Sequence, residues 1–251
     1  MDVTFRQAAP RAFDLVVGAD GIHSNVRRLV FGPESQYVHH LGYYYALAKL
    51  SGELSREDLM YNEPGRMASV GGPKAPAFFV FASAPLQYER DNVAQQKQLL
   101  AAAYQGGAWK VPELLQELPS AEEFYLDAVS RVTIEGYSKG RIVLLGDSAY
   151  GNTLGGFGTG LAIVGAYVLA GELGRAQGDY RAAYAQYETK FRGYAKVSQH
   201  VNAGKLLAPT TRFGLYVRNQ LFSLATRFKC LLKLADYFAS DIKLETYALT
   251  A

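Results

Sequence analysis

Two short apolar runs, each stopped by a glycine and an aspartate, constrain this chain most. The first lies in FDLVVGADG, Phe13 to Gly21, and the second in RIVLLGD, Arg141 to Asp147. Runs of this length and composition form strands buried on both faces, as in parallel sheets covered by helices. Each is followed by a helical pattern. Ser24–Leu29 follows the first, with Ser24 placed to cap it, and Thr159–Leu173 follows the second. Two such strands can lie together in one parallel sheet, and ligands of open α/β sheets bind outside the carboxyl ends of the strands.

Ahead of the first run, Val3–Gln7 alternates like a strand. Between the two runs the pattern changes. From Tyr37 to Pro85, aromatic strand-like runs (GYYYALAKL, then AFFVFASAP) are separated by turns such as Glu63-Pro64-Gly65 and Gly71-Gly72-Pro73. That pattern predicts an antiparallel sheet. Helices are expected over Arg90–Tyr104 and over Val111–Leu118, a strand over Tyr125–Glu135, a polar-faced helix over Tyr180–His200, and helix onward to about Leu244. The expected class is α/β, α+β overall. Residues 1–30 and 131–175 make one discontinuous α/β part, residues 31–130 an inserted β-rich part, and residues 176–251 a C-terminal helical region. The insertion would form a layer over the strand ends and cap a site there.

Composition excludes several functions. With 26 basic and 23 acidic residues the net charge is +3, too small to argue for nucleic acid. Arg212, Arg218, Arg227, Lys229 and Lys233 alternate with apolar residues, the pattern of a solvated helix face. The single cysteine, Cys230, excludes an internal disulfide and a cysteine metal cluster. The opening MDVTFRQAAPRAFDL has no apolar core of a signal peptide, and no uncharged run reaches the roughly 18 residues of a membrane span, so a cytoplasmic location is expected. His39 and His40 point opposite ways on a strand and have no acidic neighbour, so no metal is expected. His23 reads as a solvent-facing turn residue. Ser24 and Ser148 lack the G-x-S-x-G context of a hydrolase. Trp109, Phe78, Phe79 and Phe81 read as core, with some free to line an apolar pocket.

The second motif carries most of the chemistry. Asp147 stands just past a buried strand, where a carboxylate can accept hydrogen bonds from ligand hydroxyls. Gly151, Gly155, Gly156, Gly158 and Gly160 follow, and glycines let backbone N–H groups approach a ligand closely. The loop runs into a helix beginning near Thr159, whose free N–H groups and dipole favour negative charge. In the first motif, Asp20-Gly21 turns the chain tightly. Arg27 and Arg28 follow Ser24 by three and four residues, so one of them can face the strand end and hold a phosphate or carboxylate in two-point fashion.

Taken together, the two motifs resemble the flavin segments of the para-hydroxybenzoate hydroxylase-like FAD-dependent aromatic monooxygenases. Gly18, Ala19, Asp20, Gly21, Ser24 and Arg27 match the G-A-D-G-x-x-S-x-x-R segment, and Gly146 and Asp147 match the Gly-Asp segment. The resemblance spans roughly Val3 to Tyr194. Tyr150 stands where that family usually has a histidine, and no proline lies between Asp147 and Gly160. The resemblance implies a Rossmann-like FAD-binding domain with an inserted substrate domain. It implies that Asp147 bonds the ribityl chain, and that Gly156, Gly158 and Thr159 face the pyrophosphate and the flavin pyrimidine edge. Asp20 and Arg27 belong to the segment tied to FAD and NAD(P)H handling. The implied reaction is reduction of FAD by NAD(P)H, followed by transfer of an oxygen atom from O2 to a small aromatic or polycyclic substrate, and no side chain stands out as a required base. The family's G-x-G-x-x-G unit for the ADP half of FAD is not matched, so the chain is expected to be an incomplete FAD-binding domain. It should fail to hold FAD alone and depend on an N-terminal partner chain or self-association. The alternatives are a non-catalytic binding module of the same fold, or one half of a split flavoenzyme.

Overall fold

The computed structural model describes residues 1–50, 57–71, 75–156, 158–199, 201–227 and 244–247. In chain order the elements are β1 (Asp2–Val3), β2 (Arg11–Ala12), β3 (Val16–Gly18), α1 (Asn25–Val30), β4 (Val38–Ala48), β5 (Leu59–Glu63), β6 (Arg66–Val70), β7 (Ala77–Ala82), α2 (Val93–Ala103), α3 (Val111–Glu117), β8 (Phe124–Val132), β9 (Ser138–Lys139), β10 (Ile142–Leu144), α4 (Asp147–Tyr150), α5 (Gly158–Arg175), α6 (Tyr180–Gln199), α7 (Ala203–Leu207) and α8 (Arg212–Arg227). The mixed α/β class expected from the pattern is the one observed. The chain divides into two compact units: Met1–His39 with Ser130–Val201 and Tyr237–Ala251, and His40–Val129 with Asn202–Asp236.

The first unit is built on a three-stranded sheet in the order β3-β10-β9. β3 and β10 run parallel, Val16 opposite Ile142 and Gly18 opposite Leu144. α5 and α6 pack together beside it. α5 buries Leu161, Gly165, Val168, Leu169 and Glu172, the stripe expected of one helix face, against Val143, Leu144, Tyr187 and Phe191. Gly165 is required there because a Cβ would run into the Tyr150 hydroxyl. The expectation of strands buried on both faces fails at Val17, which is 44% exposed. Alternation turns Val17 away from the face that takes Gly18, and among the described residues β3 pairs only with β10. The strand expected over Val3–Gln7 shrinks to a two-residue ladder in which Asp2 and Val3 face Ala12 and Arg11.

The second unit holds a five-stranded sheet in the order β5-β6-β7-β4-β8. β5 and β6 are joined by the two-residue turn Pro64-Gly65, where Gly65 takes φ +77°, a conformation that suits glycine. Alternation divides the aromatic runs. Tyr44, Phe79 and Phe81 pack with Leu100 and Tyr104 of the α2 region and Leu114 of α3, whereas Tyr45 and Phe78 fall on the opposite side of the strands. The Tyr104 hydroxyl shares its one proton between the carbonyls of Met67 (2.5 Å) and Val80 (2.9 Å), tying the core to β6 and β7. Trp109, the only tryptophan, stacks on Tyr61 at 5.5 Å.

Pro209 separates α7 from α8, so the C-terminal helix expected to run to about Leu244 is interrupted. Residues 228–243, with Lys229, Cys230 and Lys233, and the Gly72-Pro73 turn lie outside the described residues. Arg218 does not belong to a solvated face: it is buried, with Nη2 donating to Asn62 Oδ1 at 2.9 Å. No helix among the described residues is long and apolar enough to cross a membrane.

His40 is half-buried at the start of the second unit. Its Nδ1 accepts from the Gly42 N–H (3.3 Å) and its Nε2 lies 3.2 Å from the Tyr43 carbonyl, a pairing that suits the neutral ring. Burial holds its pKa below the ordinary histidine value, against the opposing hydrogen bond to Tyr43. The stability this neutral form contributes is present above pH of about 6.5 and is lost as pH falls below that, because the unfolded chain then takes the proton first. The urea midpoint should therefore drop between pH 7.5 and pH 5. His40→Gln should lessen the drop, and an unchanged pH profile in that variant would contradict the assignment.

Candidate functional site

The first unit brings its two glycine-aspartate segments together at the strand ends. Past the last parallel pair, the Leu145 N–H donates to the Gly18 carbonyl at 2.9 Å. Gly146 then turns the chain at φ +69°, which glycine adopts without strain. Ser148 is buried beneath the turn. Its hydroxyl is shared between the carbonyls of Gly18 (2.5 Å) and Leu145 (2.8 Å), and it accepts from the Leu145 N–H at 3.1 Å.

Asp147 lies at the mouth of this arrangement. Its side chain reaches solvent and has no hydrogen-bond partner among the described residues. A Cβ built on Gly158, the first residue of α5, would sit 3.8 Å from Asp147 Oδ1. Desolvation by the surrounding protein raises the carboxyl above its ordinary value. Gly156 takes φ +74°, with open space where a side chain would stand. Thr159 is exposed on the first turn of α5. An unpaired carboxylate thus stands beside the free N–H groups of an 18-residue helix and an open glycine backbone. That combination suits a ligand with several hydroxyls and a negative group, as the ribityl-pyrophosphate chain of FAD has.

The first segment is differently engaged. Asp20 accepts from the Ser24 hydroxyl and from the Val26 N–H (3.0 Å), while Ser24 caps α1 by accepting from the Arg27 N–H at 2.9 Å. Burial works to raise the Asp20 carboxyl, but these hydrogen bonds outweigh it and hold it below its ordinary value. Arg27 faces the strand end, as its spacing predicts, yet its side chain is fully buried. Nη1 donates to the Ser148 carbonyl at 2.8 Å and Nη2 to the Ile22 carbonyl at 2.5 Å. A guanidinium so placed holds two segments of its own chain and presents no open face to an anion. Arg28 is exposed and reaches Asn25 Oδ1 at 3.2 Å. His23 lies 3.1 Å from Glu34 rather than facing solvent alone. Ser148 was not visible as a site residue. The available signal was a small hydroxyl directly after Gly-Asp at a buried strand end.

The second unit carries an aromatic surface of its own. The Tyr45 ring lies 6.5 Å from Phe78 and 5.7 Å from Tyr125, and the Tyr125 hydroxyl donates to the buried Asp127 Oδ2 at 2.9 Å. Burial and the Asp127 carboxylate push the Tyr125 phenol well up, which keeps it neutral. An open cleft of about 460 Å³ beside it is lined by Leu47, Lys49, Pro76, Phe124 and Tyr125, among others. Among the described residues no group of three histidine, cysteine or acidic side chains is placed to hold a metal.

No family model matches the chain. It is 40% identical over 205 residues to an uncharacterized protein of Mycobacterium tuberculosis, covering 78% of this chain and 55% of that protein. It is 34% identical over 204 residues to a flavin-dependent monooxygenase of Legionella longbeachae, covering 78% of this chain and 52% of that protein. The chain thus spans about half the length of the curated relatives it matches. Among solved structures, the tetracycline destructase Tet(55) superposes with a TM-score of 0.79 at 30% identity, covering 98% of this chain and 66% of that one. The chain shares the fold of that destructase, and several of its relatives, the Legionella protein among them, are named flavin-dependent monooxygenases.

Proposed function

We propose that this chain contributes to an FAD- and NAD(P)H-dependent monooxygenase that hydroxylates an aromatic or polycyclic organic substrate. The observation that carries the reading is the unpaired Asp147 carboxylate at the end of a parallel strand pair, beside the start of α5. Bound FAD, reduced by NAD(P)H, supplies the activation of O2 for transfer of one oxygen atom to the substrate. Asp147 accepts hydrogen bonds from the ribityl hydroxyls. The backbone at Gly156, Gly158 and Thr159 faces the pyrophosphate and the pyrimidine edge. Gly146 sets the turn that aims Asp147, and Asp20 and Arg27 hold the two segments in register rather than touching the cofactor. In the second unit, the face bearing Tyr45, Phe78 and Tyr125 offers apolar and aromatic surface to the substrate. The name of the tetracycline destructase relative supports a polycyclic compound as the class.

The test is flavin affinity. Losing a hydrogen bond to a charged group costs about 1.5–3 kcal/mol. In protein reconstituted with FAD, Asp147→Ala should weaken binding about tenfold or more by calorimetric titration. Unchanged affinity, with circular dichroism intact, would remove Asp147 from the site.

A further inference from the structure

The first unit holds a second built site, away from the strand ends. Glu172 is 3% exposed on the buried face of α5. A buried carboxylate is costly unless it is paired, and this one has three partners. Lys190 Nζ of α6 lies at 2.8 Å, the Tyr247 hydroxyl donates at 2.7 Å, and Arg175 Nη1 lies at 3.4 Å. Gly171 lies against the Tyr247 ring, and a Cβ at that position would overlap the ring. Tyr167 packs edge-on against the same ring at 5.3 Å, and its hydroxyl donates to the Glu245 carbonyl at 2.9 Å. Arg175 and Lys190 stand 4.8 Å and 5.7 Å from the ring centre. Both cations also bind Glu245 Oε2, at 3.0 Å and 2.7 Å.

The charges in this notch are matched only when the tail is present. Two cations face one carboxylate from α5 and one from the tail. Without Glu245 the notch carries an excess positive charge, and without Tyr247 it holds an acceptor with no phenol and a glycine gap with no ring. We propose that Gly171, Glu172, Arg175 and Lys190 form a recognition site for a peptide of the pattern acidic-x-tyrosine, and that Leu244–Tyr247 fills it reversibly as a ligand in cis. Reversibility follows from the contact itself. Leu244, Glu245 and Thr246 are exposed, only Tyr247 is partly buried, and ion pairs at a surface are screened by salt.

The probe is the acetylated, amidated tetrapeptide Leu-Glu-Thr-Tyr, titrated into the full chain and followed by NMR. In the unsubstituted chain Leu244–Tyr247 already occupies the notch and competes with the added peptide. Tyr247→Ala should therefore bind the peptide at least tenfold more tightly than the unsubstituted chain. Replacing the peptide's glutamate by glutamine, or its tyrosine by phenylalanine, should weaken that binding, as should 0.5 M salt. Equal affinity for both chains, or no saturable binding to Tyr247→Ala, would overturn the proposal. Should Tyr247→Ala not fold, Tyr247→Phe keeps the ring and loses only the bond to Glu172. It should admit the peptide more readily than the unsubstituted chain, and equal binding there would overturn the proposal as well.

Discussion

Arg27→Met is expected to lower the stability of the chain by about 2–4 kcal/mol. Methionine fills much of the stem's volume, so the loss comes from hydrogen bonding. The carbonyls of Ser148 and Ile22 each lose a charged donor inside the protein, and a buried group left unpaired costs about 1–3 kcal/mol. Relief from burying the guanidinium, whose Nε has no partner, offsets part of this. Arg27→Lys should be intermediate, because an ammonium keeps the charge but lacks the planar fork that spans both carbonyls. Urea unfolding followed by circular dichroism measures the difference. A Met variant within 0.5 kcal/mol of the original, on the ordinary scale of surface substitutions, would mean that the clamp does not hold the two segments.

Phe79→Ala should cost still more, about 3–5 kcal/mol, the range for emptying a large aromatic from a packed core. Phe79 is fully buried and meets Tyr104 edge-on at 5.2 Å, and Tyr104 bridges β6 and β7 through its hydroxyl. The cavity would therefore open beside the hydrogen bonds that hold the sheet to its helix. Trp109 lies in the same unit, so its emission during urea unfolding reports this loss directly. A shift below 1 kcal/mol would show that neighbouring side chains collapse into the space.

Local pattern carried much of the fold. Pro112 near the start of α3, the Pro64-Gly65 turn and the apolar stripe of α5 are each set by residues within a few positions of one another, and each element lies where its pattern predicts. The Gly-Asp step after an apolar run likewise placed Asp147 just past the end of β10. Contacts between distant residues were not legible. Arg27 has the spacing to face the strand end, but nothing in its neighbourhood says that the group it meets is a carbonyl 121 residues away rather than an anion. Arg218 reads as one more basic residue on a helix until Asn62 is brought against it. Val17 reads as buried because its run is apolar, while alternation turns it to the face of β3 opposite Gly18, where it is exposed.

The pairing of β3 with β10 also sets a timetable for synthesis. Gly18 and Ser148, which meet at the strand ends, are separated by 130 positions. At translation rates of about 5–20 residues per second, roughly ten seconds pass between the appearance of the first and of the second. Through that interval Val16–Gly18 lacks its β10 partner, while the hairpins of residues 59–82 already have theirs on the nascent chain. A chaperone acting before Ile142 emerges would have this unpaired β10-facing edge to shield.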